Sequence, residues 1–118
     1  MESEALKDLV VDALEDIKGI EIVVLDVEAK TDIADYMVVA SGTTSRQVKA
    51  LADNVQQEAK AAGNKVVGVE GGDTAEWVLI DLGDVIVHVM LPKVRDFYDL
   101  ERLWSLGPKR NEDTIAED

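Results

Sequence analysis

Side chains able to do chemistry are few in this sequence. His88 is the only histidine and cysteine is absent, which excludes disulfides, thiolate zinc sites and a cysteine nucleophile. No second base accompanies His88, and a lone mid-strand histidine is structural more often than catalytic. Asp32 and Asp35 stand at i, i+3 in a polar stretch. They could share a cation, but no glycine-bearing calcium loop surrounds them, and a solvated connection accounts for both. Ser41-Gly42-Thr43-Thr44-Ser45 leads into a helix, and helix N-termini attract phosphate. The stretch lacks the Walker pattern, and helix capping explains its hydroxyls. A strand, Ser-Gly and a helix are also the arrangement of nucleotidyl transferases, which hold metal through two carboxylates on a neighbouring strand. The strand after this helix, Lys65-Val66-Val67-Gly68-Val69, has no carboxylate, and Asp26 is the one strand acid nearby. A transferase-like enzyme is therefore the weaker reading.

The elements that must position these residues follow from periodicity. Leu6, Leu9, Val10, Ala13, Leu14 and Ile17 recur at helical spacing and predict a helix over 4–18, with Lys18-Gly19 at its C-terminus. Ile20 to Val27 reads as a strand covered on both faces, and Tyr36 to Ala40 as a second. Thr44 and Gln47 match a capping box, in which a hydroxyl takes the third helical N–H and the amide reaches back. Val48, Leu51, Ala52, Val55, Ala59 and Ala62 give a second helix over 45–62, stopped by Gly63. Lys65–Val69, Glu76–Leu82 and Val85–Leu91 predict three strands, the last two joined by a tight turn at Gly83-Asp84. Pro92 ends the last strand, and residues 93–104 predict a third helix. The order α-β-β-α-β-β-β-α predicts one α/β domain: a mixed five-stranded sheet flanked by helices.

The turn at Gly83-Asp84 fixes the register. Leu82, Ile80 and Val78 then oppose Val85, Val87 and Val89, an aliphatic face suited to the core. The other face pairs Asp81 with Ile86, Leu79 with His88, and Trp77 with Met90. Two readings of it compete. Either it packs beneath a helix, with Asp81 and His88 as a diagonal pair, or it stays partly open and binds a partner, since Trp and Met are enriched at interface centres. In the third helix Phe97, Leu100, Glu101 and Trp104 fall at i, i+3, i+4 and i+7 and so share a face. Of five aromatic residues, three lie between Phe97 and Trp104; such a surplus on a terminal helix is more often core packing, but it leaves something for a partner.

The formal charge is −13, which opposes direct binding to nucleic acid or anionic lipid. Hydrophobic residues make up 47%, too many for a disordered chain. The start, Met-Glu-Ser-Glu-Ala-Leu-Lys-Asp, reads as neither a signal peptide nor a membrane anchor, so an intracellular, cytoplasmic domain is expected. The acid excess is −4 over residues 1–18 and −5 over 68–104. Residues 105–118 are polar and acidic, with little apolar content, and read as a solvated tail.

Asp35-Tyr36-Met37-Val38-Val39-Ala40-Ser41-Gly42, Arg46-Gln47-Val48, Glu70-Gly71, Trp77, Ile80-Asp81, Gly83 to His88 and Phe97-Tyr98-Asp99-Leu100-Glu101-Arg102-Leu103-Trp104 together resemble the ribosomal silencing factor family, also called Iojap-related. The resemblance covers residues 1–104. It departs at Met37, where the family commonly has a larger aromatic. The resemblance implies a fold akin to nucleotidyl transferases without their catalytic carboxylates, no enzymatic activity and no cofactor or metal. It implies binding to the L14-type protein of the large ribosomal subunit, blocking subunit joining and repressing translation, and a homodimer when free. Some related proteins act in ribosome assembly, an alternative role for the same surface. The implied partner face comprises Trp77, Leu79, Asp81, His88 and Met90 of the hairpin with Phe97, Tyr98, Leu100, Glu101 and Trp104 of the terminal helix. Trp77 and Tyr98 would anchor it, and Asp81 and Glu101 would meet basic side chains.

Overall fold

A computed structural model describes residues 1–105, with side chains to residue 102. Helix α1 (Ser3–Asp16) buries Leu6, Val10, Ala13 and Leu14. It ends where Lys18 turns left-handed (φ 65°) and the Gly19 N–H donates to the Leu14 carbonyl. Lys18, not Gly19, carries the left-handed conformation. Helix α2 (Ser45–Ala61) buries Val48, Leu51, Ala52, Val55 and Ala59, five of the six positions its spacing marks. Its last expected stripe residue, Ala62, is exposed beyond the final turn.

The five strands are β1 (Ile20–Asp26), β2 (Tyr36–Ser41), β3 (Gly68–Glu70), β4 (Trp77–Asp81) and β5 (Val85–Met90). They form one mixed sheet in the order β1-β2-β5-β4-β3. β2 and β5 run parallel, and every other pairing is antiparallel. β4 and β5 pair Trp77 with Met90, Val78 with Val89, Leu79 with His88, Ile80 with Val87 and Asp81 with Ile86, the register that the Gly83-Asp84 turn predicts.

Helices α1 and α2 cover one face of the sheet. There Val38, Ala40, Val78, Ile80, Leu82, Val85, Val87 and Val89 join the helical stripes in the main core. Burying each of these Val, Leu or Ile side chains contributes roughly 1.5–3 kcal/mol. A smaller core on the opposite face unites Val27, Met37, Val39 and Met90 with Leu25, Trp77, Val94 and Leu100. Met37 is buried there.

Three expectations are corrected. β1 is not covered on both faces: it is an edge strand, and Ile20 and Val24 stay exposed. A bulge between Ile20 and Val23, with Glu21 left-handed (φ 48°), also breaks its alternation. β3 starts at Gly68 rather than Lys65, because pairing with β4 begins at Gly68–Asp81 and Val66 packs into the main core instead. The third helix is two helices. Pro92 opens α3 (Pro92–Tyr98) at its first turn, where its missing N–H costs nothing. Asp99 then turns left-handed (φ 50°), its N–H donating to the Arg95 carbonyl at 2.8 Å. α4 (Leu100–Ser105) starts afresh after this left-handed break. Phe97 and the residues from Leu100 onward therefore do not share one helical face. Of the tail expected over 105–118, Ser105 is instead the last residue of α4, and residues 106–118 lie outside the described residues.

Candidate protein-binding face

Alternation places Trp77, Leu79 and Asp81 of β4 beside Ile86, His88 and Met90 of β5, on the face opposite α1 and α2. α3 and α4 cover only part of that face. Met90 is fully buried beneath them and His88 is 5% exposed, whereas Trp77, Leu79, Asp81 and Ile86 remain half-buried.

The indole Nε1–H of Trp77 donates to His88 Nδ1 at 3.0 Å. Burial lowers the His88 pKa to about 4, so the ring is neutral at pH 7 and its proton sits on Nε2. The diagonal pair of Asp81 with His88 does not form. Asp81 instead accepts the Gly83 N–H at 2.8 Å, an Asx-type closure of the hairpin turn.

Tyr98, the last residue of α3, packs against Trp77 with ring centroids 4.7 Å apart and planes tilted by 47°. Phe97 meets Tyr98 edge-on at 5.0 Å. The edge-on pair is a favoured aromatic geometry, and both centroid distances lie within the range of aromatic contact. Phe97 is 80% exposed and Tyr98 52%, so the three rings form a ridge that begins in the sheet and ends in solvent. Exposed Asp96 and Asp99 flank it.

The remaining expected site residues do other things. Leu100 packs into the smaller core. Glu101 is tied to Arg95, whose Nε and Nη2 reach its two carboxylate oxygens at 2.8 and 2.9 Å. That bond holds the Glu101 carboxyl below the usual carboxylate range and raises the Arg95 guanidinium. Glu101 thus already has a cation. Trp104 belongs to α4 by its backbone, and its side chain lies outside the described residues.

The sequence reading overlooks Arg95. It is 5% exposed. Besides Glu101 it donates to Ser41 Oγ at 3.0 Å, to the Ile20 carbonyl at 3.4 Å and to the Glu21 carbonyl at 2.6 Å. In a continuous helix Arg95 and Glu101 lie six residues apart on different sides. Only the break at Asp99 brings them together, so spacing alone carries no sign of the pair.

The Ser41–Ser45 stretch is not an open anion site. Thr44 Oγ1 accepts the Gln47 N–H, and Gln47 Oε1 accepts both the N–H and the hydroxyl of Thr43. The amide therefore reaches back to Thr43, one residue before the cap. Gln47 Nε2 also donates to the Ile17 and Lys18 carbonyls. At Gly42 a Cβ would come within 2.9 Å of the Val48 nitrogen, so strand and helix approach closely there. Among the described residues no cluster of acids and histidine could hold a metal ion. No helix there is long and apolar enough to cross a membrane.

A five-stranded mixed sheet with helices on both faces defines a small α/β domain, and its half-open aromatic ridge is the candidate site. The family model for the ribosomal silencing factor during starvation matches residues 1–118, and the chain belongs to that family. A ribosomal silencing factor of Chromobacterium violaceum is 54% identical over 104 residues, covering 88% of this chain and 85% of its own. A crystal structure of a protein from the same organism superposes with a TM-score of 0.88 at 53% identity, over 89% of this chain and 88% of that one. A mouse protein named for mitochondrial assembly of the large ribosomal subunit is 32% identical over 102 residues, 84% of this chain and 45% of that protein.

Proposed function

We propose that this protein is a steric silencer, not an enzyme: it binds the basic L14-type protein of the large ribosomal subunit and so blocks joining of the small subunit. The observation that carries this reading is the Trp77–Tyr98–Phe97 ridge. Three large rings joined through Tyr98, two of them at least half exposed, are an expensive surface for a protein that otherwise packs its large apolar side chains into two cores. Such clusters mark partner sites. The acids around it suit a cationic partner. Within the ten expected residues, Phe97, Tyr98, Trp77, Leu79 and Asp81 are the contacting set. His88, Met90, Leu100 and Glu101 support it from beneath.

Phe97→Ala and Tyr98→Ala test the reading, because both side chains are exposed enough to be removed without unfolding the domain. Each variant should lose co-sedimentation with free large subunits and lose inhibition of subunit joining, while its thermal midpoint stays within a few degrees. If both still bind and still block joining, the face is wrong. The mouse relative's name favours a second reading, in which the same face serves large-subunit assembly. Accumulation of precursor subunits in a deletion strain, rather than excess joined ribosomes in starvation, would favour that role.

A further inference from the structure

Arg95 occupies the corner between α3 and α4 in two ways at once. Its carbonyl accepts the Asp99 N–H, which sets the left-handed turn. Its side chain reaches across that turn to grip Glu101 in α4 with two bonds. The other bonds go to the sheet: Ser41 Oγ at the end of β2, and the Ile20 and Glu21 carbonyls at the β1 bulge. A guanidinium has five N–H donors in a rigid plane, and five bonds are made here. Tyr98 lies between the residues so fixed, immediately before the turn, and its ring sits on Trp77. Resting on the reading of the aromatic ridge as the partner face, we infer that Arg95 is the positioning residue of that face: it docks the α3–α4 corner on the sheet and so holds Tyr98 against Trp77, without itself meeting the partner.

Lysine cannot reproduce this geometry, since it offers a point charge in place of a planar fork. The test uses the full chain with Arg95→Lys, and with Glu101→Gln as a milder second variant. The Trp77 indole N–H and the Tyr98 ring protons are followed by NMR, with the indole assigned through Trp104→Phe. Both sets of signals should move, while the Leu14 and Val87 methyls of the main core stay in place. Affinity for purified L14-type protein should fall about tenfold for Arg95→Lys. Added to Tyr98→Ala, Arg95→Lys should cost less than about twofold more, because one residue acts through the other. Unmoved Trp77 and Tyr98 signals in both variants would overturn the inference. So would losses that multiply in the double variant, which would mean that Arg95 acts on the partner independently. If the signals move but Tyr98→Ala binds normally, the placement of Tyr98 by Arg95 stands and the partner-face reading falls.

Discussion

Trp77 has one hydrogen-bond donor, and His88 takes it. The indole therefore presents only carbon to anything that lands on the ridge, beside the half-exposed Tyr98. This arrangement also makes His88 a pH-sensitive element of stability. Its pKa is pushed down to about 4 by burial, against about 6.5 for an unfolded chain. Between those values the unfolded chain binds a proton that the native protein refuses. The contribution is complete above pH 6.5 and is lost as pH falls toward 4, amounting to at most roughly 3 kcal/mol. Glu101 acts in the same direction at lower pH, because its depressed carboxyl gives up its bond to Arg95 only on protonation. In His88→Gln the amide oxygen can still accept from Trp77, but nothing titrates. Urea unfolding of the two proteins at pH 7, 5.5 and 4.5 should therefore show the variant less stable at neutrality and the gap narrowing or reversing with acid. A gap independent of pH would show that His88 is not the group refusing the proton.

The elements succeed or fail by how their ends are made. Gly71 lies in the turn between β3 and β4 with φ 85°, and a Cβ there would collide with the Trp77 carbonyl. Gly83 in the hairpin has φ 94° but open space around it. Gly83→Ala should thus cost only the backbone term, about 1 kcal/mol, whereas Gly71→Ala adds a steric clash and should cost at least about 2–3 kcal/mol. Denaturant midpoints check the ranking, and equal costs would mean that the turn relaxes away from Trp77. These ends also explain what the sequence disclosed. The α1 and α2 stripes and the β4–β5 register were legible because each follows from a local period or a two-residue turn. The split at Asp99 was not, because nothing in Phe-Tyr-Asp-Leu-Glu breaks a helical pattern; tertiary bonds from Arg95 stabilise the left-handed aspartate. β1 misled for a related reason: an apolar run signals burial, but its place at the edge depends on the order in which distant strands pair. In the site, the hairpin half was readable from register. The Arg95 pair that orients the helical half appears only after the break.

At the scale of the whole molecule, charge and ridge have separate tasks. A net charge of −13 repels the phosphates of ribosomal RNA, so the proposed approach to the large subunit is through a basic protein. The carboxylates nearest the ridge, Asp96 and Asp99, are exposed, and Asp81 is half-buried with one oxygen already bonded to Gly83. Exposed charges act over about 8 Å at physiological ionic strength and contribute little once the surfaces touch. In the proposed complex they would steer encounter, while the rings, desolvated on binding, would hold it. The two tasks separate kinetically. Raising salt from about 50 to 500 mM should slow association with purified L14-type protein by roughly tenfold or more and alter dissociation by less than about threefold. Asp96→Asn with Asp99→Asn should flatten that salt dependence, and Tyr98→Ala should leave it intact while speeding dissociation. Stopped-flow or surface-plasmon measurements read both rates. Should the salt effect lie in dissociation instead, the carboxylates are buried partners at the centre of the interface and the rings are its rim.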